Sequence, residues 1–93
     1  MLKTRHFDIA ELLETEADVQ AFLNEAAQTG RAADFVHALG IAARAKGMTE
    51  VARRAGVSRA SLYKSLADDG NPEFETISRV CAALGFRLVP QSV

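Results

Sequence analysis

Apolar residues recur along most of this chain at intervals of three and four, the spacing that lines one side of an α-helix. The clearest early run is Val19, Phe22, Leu23 and Ala26. It predicts an amphipathic helix over 16–29. Thr15 stands at its N-cap position, with Asp18 three residues on as an acidic variant of the capping box. Gly30 ends the helix as a C-terminal cap. Before it, residues 1–6 read as a polar, basic start. Residues 7–13 form a short helix with Ile9, Leu12 and Leu13 on one side. A longer helix is predicted over 32–46 from Phe35, Val36, Leu39, Ala42 and Ala43. Arg44 and Lys46 suit its C-terminal end, where the backbone dipole is negative, and Gly47 stops it. Gly40 costs this helix about 1 kcal/mol relative to Ala, which points to a close contact with another helix.

Two short helices follow, over 49–55 and 58–67. Asp68, Asp69, Gly70, Asn71 and Pro72 form the plainest loop in the chain. The last helix spans 73–84, with Phe74, Ile77, Val80, Cys81 and Leu84 as its apolar stripe and Gly85 as its stop. Residues 86–89 read F-R-L-V, an alternation that predicts a short strand. That strand has no evident partner in its own chain, so pairing with a second copy is one way to satisfy its backbone. The pattern gives an all-α single domain over 1–93, with a helical extension (7–30), a core (31–85) and a tail (86–93). No internal repeat or low-complexity tract interrupts it.

Within the core, residues 48–67 read M-T-E-V-A-R-R-A-G-V-S-R-A-S-L-Y-K-S-L-A. Two helices joined steeply by a three- or four-residue turn make particular demands. The first helix needs an apolar residue and then a very small one where the second crosses it, and Val51-Ala52 supply them. The turn needs a residue that tolerates positive φ, and Gly56 is there. Val57 turns back to the core, and Ser58 offers a cap. Leu62 and Leu66, one turn apart, form the buried side of the second helix. Its outer side carries Arg59, Ala60, Tyr63 and Lys64 and no acid. A hairpin that merely faced water would more often mix its charges. This is the pattern of a DNA-binding helix-turn-helix.

The charge distribution changes how the net charge is read. The total is only −1 over 93 residues. Yet residues 1–34 hold three basic and seven acidic side chains, residues 35–67 hold six basic and one acidic, and residues 68–93 hold two basic and four acidic. A basic middle lies between acidic ends, so near-neutrality does not argue against DNA as a partner.

The segments FDIAELLETEADVQAFLNEAAQTG and FVHALGIAARAKGMTEVARRAGVSRASLYKSLADDGNPEFETISRVCAALGFRL cover nearly the whole chain. The 48–67 motif resembles the helix-turn-helix of Cro and phage-repressor proteins. More narrowly, the spacing G-M-T-x-x-A-R, G-x-S-R-x-x-L-Y-K-x-L and D-G-N-P-x-F-x-T resembles the addiction-module antidote proteins, close to the HigA-type antitoxins. The resemblance implies an antitoxin that binds a RelE-type ribonuclease toxin and represses its own operon. Family members often carry Gln where this chain has Glu50. A carboxylate repels phosphate, so no DNA contact is carried onto Glu50.

A recognition helix enters the major groove by its N-terminal half. Arg59 is the candidate base reader, as a bidentate fork on guanine O6 and N7; a phosphate contact or a free surface arginine are the alternatives. Ala60 either touches a thymine methyl or permits close approach. Tyr63 either reaches a base or phosphate through its hydroxyl or packs its ring on the surface. Lys64 is a phosphate contact. Ser58 is foremost a cap whose hydroxyl is also in place for a phosphate. Thr49 heads the first motif helix, where free N–H groups attract phosphate, or is a plain N-cap. Asn71 meets a second phosphate or simply forms the turn. Of Arg53 and Arg54, one is expected to face the DNA backbone.

No catalytic set stands out. His6 and His37 lie apart, no paired carboxylates or ligand-spaced cysteines occur, and no glycine loop for phosphates is present. His37 reads as structural and Cys81 as a buried small residue. The expectation is therefore no enzyme, no metal and no cofactor. One cysteine and no signal peptide point to a reducing, cytoplasmic setting, and no apolar run reaches the ~20 residues of a membrane span. The expected partners are a palindromic duplex operator, a cognate toxin and a second copy of the chain. A stand-alone phage-type repressor is the main alternative. A protein-interaction module that uses the same fold without DNA is another.

Overall fold

The computed structural model describes residues 8–92. Five α-helices follow a short 3-10 helix, Ile9–Leu12. They are α1 (Glu16–Ala27), α2 (Ala32–Lys46), α3 (Met48–Ala55), α4 (Arg59–Ser65) and α5 (Phe74–Ala83). His6 and the rest of the polar start over 1–6 lie outside the described residues, as does the first residue of the short helix expected over 7–13.

The capping signals explain most of the boundaries. Thr15 accepts from the Asp18 N–H at 3.1 Å, and the Asp18 carboxylate accepts from the Thr15 N–H at 3.1 Å, so the capping box is complete. Those backbone donors hold the Asp18 carboxyl below its ordinary pKa. α1 ends two residues early, at Ala27 with Gln28 as its cap, and Gly30 follows in a left-handed conformation (φ 75°). Gly47 (φ 115°) closes α2 and at the same position opens α3. This corrects the reading of Thr49: it is the second residue of α3, and the cap before Met48 is a glycine with no side chain to offer.

α2 is the centre of the packing. Leu39, Ala42 and Ala43 are fully buried, with Ala38 and Ile41 nearly so. α1 lies on α2 through buried Leu23 and half-buried Val19, Phe22 and Ala26. α3 packs on α2 and α5. Val51, Leu62 and Val80 reach no solvent. Each such side chain contributes roughly 1.5–3 kcal/mol. Cys81 belongs to this core, and burial pushes its thiol up to about 11, which suits packing and not nucleophilic chemistry.

Gly40 has the reason expected of it. A Cβ there would stand 3.3 Å from the Leu66 carbonyl oxygen and 3.7 Å from the Leu66 Cβ, so the missing side chain lets the end of α4 press against α2. Two other expectations fail. Phe74 lies on the side of α5 that its spacing predicts, but it is 73% exposed. It opens the helix, beyond the last layer of the core, and borders an open groove instead. Among the described residues no strand forms, and 86–92 run without regular structure. Alternation alone gives no hydrogen-bond partner, and none is supplied within the chain.

Gly70 closes the turn after α4. Its N–H donates to the Ala67 carbonyl at 2.8 Å. A Cβ on Gly70 would sit 2.6, 2.8 and 3.0 Å from the carbonyl oxygens of Ser65, Lys64 and Ala67. These are backbone atoms and cannot swing aside. Gly70→Ala should therefore lower stability by about 1–3 kcal/mol, the usual range for overpacking. Urea unfolding followed by circular dichroism reads this directly; an unchanged midpoint would show that the turn yields freely.

Candidate nucleic-acid interface

Two helices and a three-residue link, residues 56–58, build the candidate surface. α3 ends where Gly56 takes the left-handed conformation (φ 74°), which a side-chain-bearing residue rarely adopts. Its N–H and that of Val57 return to carbonyls of α3. Ser58 then caps α4, accepting from the Ser61 N–H at 3.0 Å, while its hydroxyl donates to the Ser61 hydroxyl at 2.9 Å. The cap reading of Ser58 is therefore met by geometry.

The inner side of α4 buries Leu62 completely and Leu66 almost so. The outer side follows by helical geometry: Arg59, Ala60, Tyr63 and Lys64 are all exposed, and no acid lies on α4. Thr49 is exposed in the first turn of α3. Asn71 is exposed in the loop and borders a separate groove with Phe74 and Leu88, so it does not join the α4 face. That groove has a volume of about 870 Å³.

Arg59 and Tyr63 are not independent. The Arg59 guanidinium lies 5.1 Å from the centre of the Tyr63 ring and donates an Nη2–H to its hydroxyl at 3.2 Å. A cation over an aromatic face is attracted to it. The pair therefore holds the arginine along the helix instead of leaving it to wander. The one-turn spacing of Arg59 and Tyr63 was the signal, though the sequence reading treated each residue separately.

α3 departs from expectation. Both Arg53 and Arg54 pair with Glu50. Arg53 donates to its two carboxylate oxygens at 3.1 and 2.6 Å, and Arg54 donates at 2.8 Å. These bonds pull the Glu50 carboxyl down to about 2 and raise Arg53. Both guanidinium groups are engaged by Glu50, a pairing that the reading of them as one backbone-facing and one solvated cation did not include. The i, i+3 and i, i+4 spacing predicts such pairs. His37 is exposed, and its Nδ1 meets the Asp68 carboxylate at 3.0 Å, a structural tie between α2 and the loop after α4. Among the described residues no group of His, Cys, Asp and Glu is arranged to hold a metal. No helix there is long and apolar enough to cross a membrane.

The family model described as "Probable addiction module antidote protein" matches residues 3–92. The chain belongs to that antidote family. This antidote is also similar to an uncharacterized protein of Haemophilus influenzae (strain Rd), 42% identical over 87 residues, or 94% of this chain and 90% of that one. No solved structure matches the antidote. Membership places it in a toxin–antitoxin module, implies a cognate toxin as partner, and agrees with the expectation that it is not an enzyme.

The Glu50 cluster gives a direct check on the surface. Glu50 should titrate with a midpoint of about 2. In the Arg53→Ala, Arg54→Ala double variant it should return toward the ordinary value of ~4.3. NMR titration of the side-chain carboxyl measures both; an unmoved midpoint would mean that the arginines do not hold it.

Proposed function

We propose that this antidote is an antitoxin with two separate working surfaces. One binds its own operator through α3 and α4 and so represses the operon. The other covers a basic ribonuclease toxin of the RelE type. The observation that carries the first part is the outer face of α4: two cations, a tyrosine and an alanine, free of acids, on a helix fixed from beneath by Leu62 and Leu66.

In this reading α4 lies in the major groove, which is about as wide as one helix. Arg59, already extended against Tyr63, presents its remaining donors to guanine O6 and N7. The Tyr63 hydroxyl, accepting from Arg59, keeps its own proton to donate to an acceptor on the DNA. Ala60 leaves room for a thymine methyl. Lys64 and Thr49 contact phosphates and set the register, the Ser58 hydroxyl joins them by giving up its bond to Ser61, and Asn71 reaches a further phosphate outside the α4 face. One such helix makes few base contacts, so a two-fold dimer on a palindromic operator is the expected assembly. The exposed Leu88 and Val89, with Phe74 at the start of α5, offer apolar surface to it.

Arg59→Ala should weaken binding to the operator by about 1–3 kcal/mol and affect random duplex much less. Titration of both duplexes with wild type and variant checks this. Equal losses on the two would make Arg59 a phosphate contact; no loss on either would remove α4 from the interface.

For the toxin, the acidic side lies on the extension. Glu14, Glu16, Gln20, Asn24 and Gln28 are exposed on or beside α1. An RNA-cleaving partner needs a positive working surface, and an acidic face steers association with it. Cutting α1 away would remove Leu23 from the core and uncover the side of α2 that α1 covers, so charge reversal in the full chain is the cleaner probe. Glu14→Lys with Glu16→Lys should weaken capture of the toxin encoded beside it and leave operator binding unchanged. Unaltered toxin affinity at low salt would move the toxin site elsewhere. DNA binding with no toxin bound by either protein would return the stand-alone repressor.

A further inference from the structure

We infer that the groove between α2 and α4 is a phosphate notch, with Arg44 as a DNA-backbone ligand and Tyr63 as its opposite wall. This rests on the reading of α4 as a helix that enters the major groove. It adds a contact from a helix outside the helix-turn-helix.

Four observations converge on it. First, a groove of about 300 Å³ is lined by His37, Gly40 and Arg44 of α2 and by Tyr63 and Leu66 of α4. At ~30 Å³ per water it has room for about ten, enough for a phosphate and part of its hydration shell. Second, its outer wall is Tyr63, whose ring also carries Arg59 at 5.1 Å on the exposed face of α4. The notch therefore opens beside the face that would meet DNA. Third, α2 comes very close to α4 here, with Gly40 leaving only 3.3 Å between a hypothetical Cβ and the Leu66 carbonyl. A helix with its side chains is ~10–12 Å across and the major groove is ~12 Å wide. The phosphate wall along that side of α4 then falls against α2, where Arg44 stands.

The fourth observation concerns which cations are available. Arg53 and Arg54 share the one carboxylate of Glu50, which cancels one of their two charges and engages both guanidinium groups. Arg31 and Arg79 are engaged by Asp34 and Glu75. Arg44 is exposed and pairs with no carboxylate among the described residues. One acid, Asp68, also lines the groove. It is bound to His37, and His37 precedes Arg44 by seven residues, about 10 Å along the helix axis. Asp68 is thus committed to His37, and no ion pair joins it to Arg44 among the described residues. The ligand is a phosphodiester of duplex DNA, and an arginine fork suits its paired oxygens.

The test is the salt dependence of binding to a random duplex and to the promoter duplex, with the full-length protein. Each cation–phosphate contact contributes about 0.9 to the slope of log K against log salt. Arg44→Gln should reduce the slope by about 1 on both duplexes and leave the ratio between them unchanged. Arg44→Lys should restore most of it. Arg53→Gln, with the same loss of formal charge, should leave the slope where it was. If Arg44→Gln and Arg53→Gln reduce it equally, the effect is general charge and the notch is refuted. If the wild type binds with a normal slope and Arg44→Gln does not alter it, the notch is refuted while the reading of α4 stands. If the wild type binds no duplex even at low salt, that reading falls and the notch with it. Circular dichroism of the Arg44 variants confirms that each is folded, which an exposed position should allow.

Discussion

Leu62 is sealed beneath α4, which packs on α3, and Leu66 follows one turn later, where Gly40 lets its backbone come close to α2. That burial, together with the close approach at Gly40, sets where α4 lies. The other features depend on it. With a larger residue at 40, α4 would stand off from α2, the groove between them would widen, and Tyr63 would lose its place on the rim. With a side chain at 56, α3 could not turn into α4 within so few residues. The outer face of α4 is defined because its inner face has only one way to pack.

Charge is then distributed over that scaffold by local pairing more than by composition. The middle of the chain carries a clear excess of cations, yet α3 withdraws two of them into the Glu50 cluster. Among the described residues, cations without carboxylate partners lie on α4, at the end of α2 and at Arg87. Exposed ion pairs of this kind add little stability. Their effect is on which charges an approaching polyanion meets. The acidic residues of the extension lie on or beside α1, so a single small domain carries a cationic and an anionic surface.

Much of this was legible in the residues. Thr15 with Asp18, Gly47, Gly56 and Ser58 are strong local signals, and each fixed its boundary by backbone chemistry that needs no distant partner. Gly40 was legible as an anomaly, because a glycine in mid-helix asks for a contact. Thr49 was misread because a threonine ahead of a helix looks like a cap, whereas Gly47 had already turned the chain. Phe74 was misread because periodicity gives a direction and not the extent of the core. The strand over 86–89 was expected from alternation, but a strand exists only through its partner. Arg53 and Arg54 were counted as free charge, although their spacing from Glu50 held the information. Arg44 was read only as a helix-end cation, since its place beside Tyr63 depends on how α2 crosses α4.

The central claim is that the outer face of α4 is the surface that meets DNA. Its most direct test is an amide NMR map of the full-length protein titrated with its promoter duplex. The account predicts the largest shifts at Arg59, Ala60, Tyr63 and Lys64, smaller ones near Arg44 and Thr49, and none along Glu16–Ala27. Shifts confined to α1 or to the groove around Phe74, with α4 silent, would contradict it.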